Sequence, residues 1–400
     1  MLKKDYTYII VGAGIAGSSA IEGIREHDKD GSILIIGGEK YLTYARPPLT
    51  KELWWGKMKP ADLFVNDEKY YERKGVDLLL GVTATSLDAQ SKTLSDFTGR
   101  KFRYQKLLLA TGGTPRKLPI PGGKLEGIFY YRYLDDYTRL REAVSSGTSV
   151  TIIGGGFIGS ELGASLNKNA LNVTMLYPDN YVCANVFPEY LGKVVEKSYI
   201  NHGVTLIPRD KPVSFEKSGG KFVIKTQRGL QIETDAVVIG IGIGTSTDLA
   251  ESAGITVNRN IAVNEYQQTS QPDIFAAGDN TDFPSPVLEK VLHLEHWDHA
   301  ANHGKWAGRN MAGAHLAYDY IPYFYSTIFN FNYEAVGEIS PDLQNINKFD
   351  ESNNKGTVYF LRDNRVCGVL TCNVRGPIDW AKELIRNGEI PPDLGQGVTQ

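Results

Sequence analysis

The sequence predicts an α/β chain: one strand–turn–helix–strand unit used twice, followed by a small C-terminal α+β domain. Three observations predict it. Glycine supplies 42 of 400 residues, against about 7% in average proteins. Two glycine clusters, GAGIAG at Gly12, Gly14 and Gly17 and GGGFIG at Gly154, Gly156 and Gly159, repeat with one offset of 142 residues. After about residue 318 the pattern changes to successive short apolar runs.

Composition sets the limits first. With 42% hydrophobic residues and no G-X-Y triplet, the surplus glycine is neither collagenous nor a sign of disorder. At this length two to three domains are expected. A net charge of −3 argues against a nucleic-acid binder by bulk charge. Three cysteines cannot form a disulfide scaffold and suit a reducing compartment. No apolar run approaches the roughly 20 residues that span a bilayer. MLKKDYTYIIVGAG reads as a first strand rather than a signal peptide, because Asp5 interrupts it and YIIV is short. A cytoplasmic protein is expected.

The first unit runs YIIV, glycine turn, SSAIEGIREH, ILII. The second runs SVTII, glycine turn, SELGASLNKN, VTML. A lone G-x-G-x-x-G is weak evidence, but here the strand and helix context is present both times. Glycines at a strand end let backbone approach a pyrophosphate, and the helix N-terminus offers free N–H groups. An acid follows at suitable range each time, Glu39 after 22 residues and Asp179 after 20. Such an acid binds a ribose hydroxyl. The sequence therefore predicts two Rossmann-like dinucleotide-binding domains. Asp179 has no arginine beside it in sequence, so a 2′-hydroxyl should be preferred to a 2′-phosphate, and NADH to NADPH.

KLLLATGGTPR (106–116) and DIFAAGDN (273–280) are further strands of the first unit, and DAVVIGIGIG (235–244) leads the chain back. The second domain is thus inserted into the first. Expected boundaries are 1–115 and 240–318 for the first domain, 116–239 for the insertion, and 319–400 for the C-terminal domain. In the last, YFYSTIFNFNYEAVGEI, GTVYFLRDN and RVCGVLTCNV read as strands and DWAKELIRNG as a helix. KSGGKF (217–222) and ESNNKG (351–356) read as hairpin turns.

Four of seven histidines lie between 293 and 303. On a helix His296, His299 and His303 share a face, yet no Glu or Cys completes a recognised zinc motif, and no metal is expected. Cys367 and Cys372 sit five apart in a strand, on opposite faces, and read as buried, inert thiols.

Several strings are more specific. TYARPPLTKELW (43–54), IIGGGFIGSEL (152–162), FPEYL (187–191), LEHWDHA (294–300) and YEAVGEI (333–339) resemble the apoptosis-inducing-factor and ferredoxin-reductase-like family of FAD-dependent pyridine nucleotide oxidoreductases. The resemblance covers nearly the whole chain, without the targeting region and long C-terminal insertion of the animal relative, and suggests a compact, microbial-type member.

It implies FAD in the first domain, NADH in the second, and hydride transfer between them. FAD contacts carried over by position are Gly12, Ala13, Gly14, Ile15, Ala16 and Gly17 at the pyrophosphate, then Arg46, Lys51, Val82, Ala110, Thr111, Gly112, Arg132, Gly278, Asp279, Glu295 and His296. The family's ribose acid aligns with Gly38, so Glu39 substitutes after a shift of one residue. NAD contacts are Gly154, Gly156, Phe157, Ile158, Gly159, Glu161, Asp179, Gly242 and Glu295. The resemblance makes Lys51, Glu161, Phe157 and His296 the catalytic set. Lys51 pairs with Glu161 beside the flavin, Phe157 covers the flavin face until nicotinamide displaces it, and Glu295 and His296 line the contact. Asp298 serves as a first-turn acid of the helix that starts there. Tyr325 stands where the resemblance implies an aromatic beside the flavin, with tyrosine in place of tryptophan.

Thiol chemistry at the flavin is not expected, because the stretch holding Thr43, Tyr44 and Thr50 has no cysteine. The electron acceptor is open: a quinone, oxygen or an electron-carrier protein. A ferredoxin or rubredoxin reductase is the second reading, favoured by a basic patch of Arg46, Lys51, Lys57 and Lys59. The third is a redox-sensitive binding or assembly protein with a long-lived complex of reduced FAD and NAD. Monomer and homodimer are both compatible with the sequence.

Overall fold

The computed structural model describes residues 2–374, 376 and 378–391. The elements that carry the argument are, in chain order, β1 (Asp5–Val11), α1 (Ile15–His27), β2 (Ile33–Gly37), β3 (Lys101–Leu109), β4 (Ser149–Ile153), α2 (Phe157–Lys168), β5 (Asn172–Tyr177), β6 (Thr205–Pro208), α3 (Trp297–Met311) and β7 (Tyr323–Ile328). The chain divides into two compact units. Unit 1 is 1–45, 61–114 and 244–323; unit 2 is 46–60, 115–243 and 324–400. Segment 46–60, with Arg46 and Lys51, thus belongs to unit 2.

Unit 1 is built on a seven-stranded sheet. β1 lies between β2 and β3, parallel to both, and Val76–Leu80 extends β2. Ile274–Ala276 pairs parallel with the last residues of β3, and Thr93–Asp96 pairs antiparallel with its start. β1 is a run of β-branched and aromatic residues because both faces are covered. Ile10, Ile35 and Leu108 pack with Ile21 and Ile24 of α1. Helices α1 and α3 touch backbone to backbone: a Cβ on Gly304 would fall 2.0 Å from Ala16 O.

Unit 2 repeats the plan. Its parallel sheet runs β6, β5, β4, Ala236–Ile239, Ile128–Tyr130. Ile153, Leu176, Val237 and Ile239 pack with Phe215 and Ile224 of a three-stranded meander. The remaining sheet is antiparallel, ordered β7, Phe331–Gly337, Arg365–Cys372, Lys355–Arg362, Gln344–Asp350, and is followed by a helix at Ile378–Asn387.

Where a parallel sheet is entered at its middle strand, the crevice at the carboxyl ends binds ligands. β1 and β4 hold that position in their sheets, and both glycine turns leave from there.

Two expected strands differ, and one strand is additional. The strand expected over 235–244 is two, Ala236–Ile239 and Ile243–Thr245, broken where Gly242 turns to φ +87°. The strand expected over 106–116 ends at Leu109, and a short one follows at Gly113–Pro115 after Gly112 turns to φ +58°. Gln344–Asp350 is an extra strand. It lies at a sheet edge and is largely exposed, so its sequence QNINKFD carries no apolar alternation. Both hairpins form where the turn sequences place them.

Candidate active site

The first glycine turn is shaped by two close approaches. A Cβ on Gly12, which sits at φ +118°, would fall 2.0 Å from Ala110 O. One on Gly17 would fall 1.9 Å from Gly12 O. Gly14 is different, because a Cβ there meets nothing within 4 Å. Gly14 is the N-cap of α1, with no side-chain cap and no acid in the first turn. The exposed helix N-terminus keeps its N–H donors and positive dipole for an anion. The second turn repeats all of this. Gly154 approaches Gly240 O and Gly159 approaches Gly154 O, whereas Gly156 faces open space as the uncapped start of α2. Both turns fit a dinucleotide pyrophosphate, including Ala13, Ile15, Ala16 and Ile158 between the glycines.

In unit 1 the neighbouring turns are held by short contacts. Val82 N–H donates to Gly37 O at 2.9 Å, and Ala110 N–H to Val11 O at 2.8 Å. Thr111 Oγ1 donates to Ser246 O and accepts from Asn280 Nδ2, whose Oδ1 is buried without a partner. Gly278, at φ +93°, gives its N–H to His303 Nδ1 at 3.2 Å, which fixes the turn that presents half-buried Asp279. Glu39 accepts from Tyr44 OH at 2.5 Å.

His296 is the N-cap of α3, with exposed Glu295 before it and Asp298 in the first turn. Burial pushes the His296 imidazole down to about 4. His299 and His303 are fully buried against Phe283 and Tyr318. Burial lowers both, His303 to about 3.

Unit 2 holds the densest polar cluster. Lys51 Nζ lies 2.7 Å from Glu161 Oε1, with the residues only 3% and 8% exposed. Thr50 Oγ1 donates to Glu161 Oε2 and Ser326 Oγ to Oε1. The segment is pinned from behind: Ser165 Oγ donates to Thr50 O at 2.7 Å, and Tyr131 OH to Leu49 O at 2.6 Å. A buried ion pair needs such added donors to offset desolvation. Phe157 packs edge-on against Phe324, with ring centroids 5.3 Å apart. Tyr325 is 54% exposed, and Lys51 Nζ lies 6.0 Å from its ring centroid. Arg46 Nη1 donates to Arg132 O at 3.2 Å.

One feature corrects the sequence reading: Lys51 cannot join a surface basic patch, because it is buried in the pair with Glu161. Arg209, which no motif marks, gives its backbone N–H to Asp179 O at 3.1 Å. The sequence also left Thr50 and Ser326 without a role. Thr50 precedes Lys51 inside a matching string, and Ser326 is a buried hydroxyl on the aromatic strand β7. Only the fold brings both to one carboxylate.

The sequence profile of the family described as pyridine nucleotide-disulphide oxidoreductase matches residues 6–304. The chain belongs to the pyridine nucleotide-disulphide oxidoreductases. Members of this family are FAD-dependent NAD(H) oxidoreductases. The chain is 32% identical to apoptosis-inducing factor 1, mitochondrial, of Dictyostelium discoideum, over 98% of this chain and 80% of that protein. It is 30% identical to the ferredoxin–NAD(+) reductase component of the anthranilate 1,2-dioxygenase system of Burkholderia cepacia, over 96% and 95%. Among solved structures, that of the covalent putidaredoxin reductase–putidaredoxin complex matches with a TM-score of 0.91 at 27% identity, covering 97% of this chain and 94% of that one. These likenesses bear out the expected fold class and the flavoprotein oxidoreductase activity.

Disulphide chemistry is a property of the family's name that this member's thiols do not serve. Cys183, Cys367 and Cys372 are all buried, and none is in a disulfide. Burial pushes the Cys183 thiol up to about 12, far from a reactive thiolate. No helix among the described residues is long and apolar enough to cross a membrane.

Proposed function

We propose that the protein passes hydride from NADH to bound FAD and then electrons to an acceptor. The observation that carries the reading is the pair of uncapped helix N-termini behind open glycines, joined to a buried Lys51–Glu161 pair. FAD supplies the hydride acceptor and can release electrons singly or in pairs.

The chain's residues take these parts. The Gly12–Gly17 and Gly154–Gly159 turns bind the two pyrophosphates. Val82, Ala110, Thr111, Gly112, Asp279, Glu39, Arg46 and Arg132 serve FAD. Lys51 brings a fixed positive charge that stabilises negative charge arriving with hydride. Glu161, anchored by Thr50 and Ser326, holds that ammonium in place. Phe157 guards the nicotinamide position, Glu295 and His296 line it, and Tyr325 adds an aromatic face. Gly242 and Asp179 serve NADH. The reading keeps the NADH-binding segment at 116–239 between the two FAD-binding segments, and a cytoplasmic location, which suits buried cysteines outside any disulfide.

A protein acceptor such as ferredoxin or rubredoxin has its own support. Trp55 lies between Lys57 Nζ at 5.1 Å and Lys168 Nζ at 4.9 Å, with Lys57 and Lys59 exposed. A basic, aromatic surface of this kind suits an acidic carrier. Anaerobic reduction by NADH followed by oxygen, a quinone, ferredoxin or rubredoxin tests the choice. Fastest reoxidation by a carrier, lost in Lys57→Glu, supports the protein acceptor; faster reoxidation by quinone or oxygen removes it.

A further inference from the structure

The loop that follows α3 lays two tyrosines over that helix. His299, His303 and Trp306 share one face of α3. Tyr318 packs on all three, with ring centroids 5.9, 4.7 and 5.9 Å away. Tyr320 stacks on Tyr318 at 5.5 Å, with the ring planes 8° apart. Tyr318 is buried, whereas Tyr320 and Trp306 are half-buried. Three oxidisable rings, Trp306, Tyr318 and Tyr320, thus run in contact within unit 1.

Each phenol faces a base. Tyr320 OH donates to Asp298 Oδ2 at 2.7 Å, and Tyr318 OH lies 3.2 Å from His299 Nδ1. The first pair is fixed from both sides: Asn302 Nδ2 donates to Asp298 Oδ2 at 3.2 Å, and Tyr323 N–H to the Tyr320 oxygen at 3.1 Å. Burial and the Asp298 carboxylate hold the Tyr320 phenol well above the usual phenol range, so at rest the proton stays on Tyr320.

Loss of an electron makes a phenol proton strongly acidic, and a carboxylate in hydrogen-bond contact takes it. For Tyr320 and Asp298 the products are two neutral groups in place of one charge, a change that burial favours. For Tyr318 and His299 the same step leaves an imidazolium in a fully buried place, which burial opposes. An electron vacancy in the stack therefore settles on Tyr320, and Tyr318 relays it.

We propose that Tyr320 is a redox-active tyrosine that gives one electron, through Tyr318 and Trp306, to a peroxide-derived oxyl radical at the surface, while its proton passes to Asp298. The O–H bond of Tyr320 breaks and a neutral tyrosyl radical remains. The oxyl radical takes the electron and becomes an alkoxide or hydroxide, which water protonates. A soluble thiol then returns a hydrogen atom to Tyr320 and becomes a thiyl radical, and Asp298 releases its proton to water. This activity consumes no NADH and stands apart from hydride transfer.

Rapid mixing of the FAD-loaded protein with the one-electron oxidant tris(bipyridine)ruthenium(III), followed by freezing and electron paramagnetic resonance, tests this. Wild type should show a tyrosyl radical that forms more slowly in deuterium oxide, because the proton moves with the electron. Tyr320→Phe should lose the larger share of that signal. Mass spectrometry should then find more oxidised Trp306, where the vacancy is stranded. Asp298→Asn keeps every ring and a hydrogen-bond acceptor but removes the base, and should give the same two changes. A full tyrosyl signal in either variant, no isotope effect, or no signal in wild type overturns the proposal and leaves NADH oxidation standing.

Discussion

Lys51 and Glu161 are separated by 110 residues in sequence and by 2.7 Å in space, and together they form a buried ion pair. The carboxylate also accepts from Thr50 and Ser326, so three chain segments meet at one group. Burying a lysine and a glutamate is costly even when they are paired. A hydrophobic pair of similar size would hold the fold as well, so the charge itself is what the site retains.

Lys51→Ala should slow flavin reduction by NADH about a hundredfold, in line with loss of one preorganised electrostatic group. It should also cost about 3–5 kcal/mol of stability, because Glu161 is left buried without its cation. Lys51→Met combined with Glu161→Gln should recover most of the stability and none of the rate. Stopped-flow reduction and chemical denaturation of both variants separate the two effects. A double variant that regains the rate removes Lys51 from the chemistry.

The glycines of one turn should fail in different ways. Gly12→Ala places a methyl against Ala110 O, so the protein should lose more than about 4 kcal/mol or not fold. Gly14→Val points into open space and should change the melting of flavin-free protein by only about 1 kcal/mol. It should nonetheless lose FAD. Flavin content after purification, set beside the thermal melt, reads both. A Gly14→Val protein with full flavin content contradicts the pyrophosphate assignment.

Asp179→Arg should move the ratio of kcat/KM values toward NADPH by about tenfold or more. Steady-state rates with each coenzyme and one artificial acceptor measure it. An unchanged ratio places the ribose elsewhere.

Acid should weaken the fold through the buried histidines. His303 is held at about 3 against an ordinary 6.5. The unfolded chain takes up its proton below 6.5 while the folded chain does not until about 3. Stability contributed by this group is therefore complete above 6.5 and is lost as pH falls through that window. At pH 5 the loss from His303 is about 2 kcal/mol. His303→Asn keeps an acceptor for Gly278 N–H and removes the titration. Its melting temperature should fall less than that of wild type between about pH 7 and pH 5. Equal slopes would contradict a neutral, buried His303.

Local pattern reaches far in this chain. The strand, glycine turn and helix at Gly12 and at Gly154 are short-range features, and the sequence reveals both, with the acids Glu39 and Asp179 beyond them. Lys51 is legible through the string around it. Its burial is not, because that depends on α2 and β7 arriving from elsewhere in the chain. Arg209 next to Asp179 is illegible for the same reason: 30 positions separate them, and only the parallel pairing of β5 with β6 joins their backbones. The edge strand Gln344–Asp350 escapes notice because exposure removes the apolar alternation that marks a strand. The aromatic stack around His299 and His303 is likewise tertiary, since Phe283 and Tyr318 come from outside α3.

The central claim is that NADH reduces a bound flavin under the charge of Lys51, and anaerobic stopped-flow mixing of the purified protein with NADH tests it most directly. The account predicts a yellow protein whose visible flavin band is bleached by a stoichiometric amount of NADH, and about a hundredfold more slowly in the double variant Lys51→Met/Glu161→Gln. A colourless protein with no flavin released on denaturation, or a flavin band that NADH leaves untouched, would contradict it.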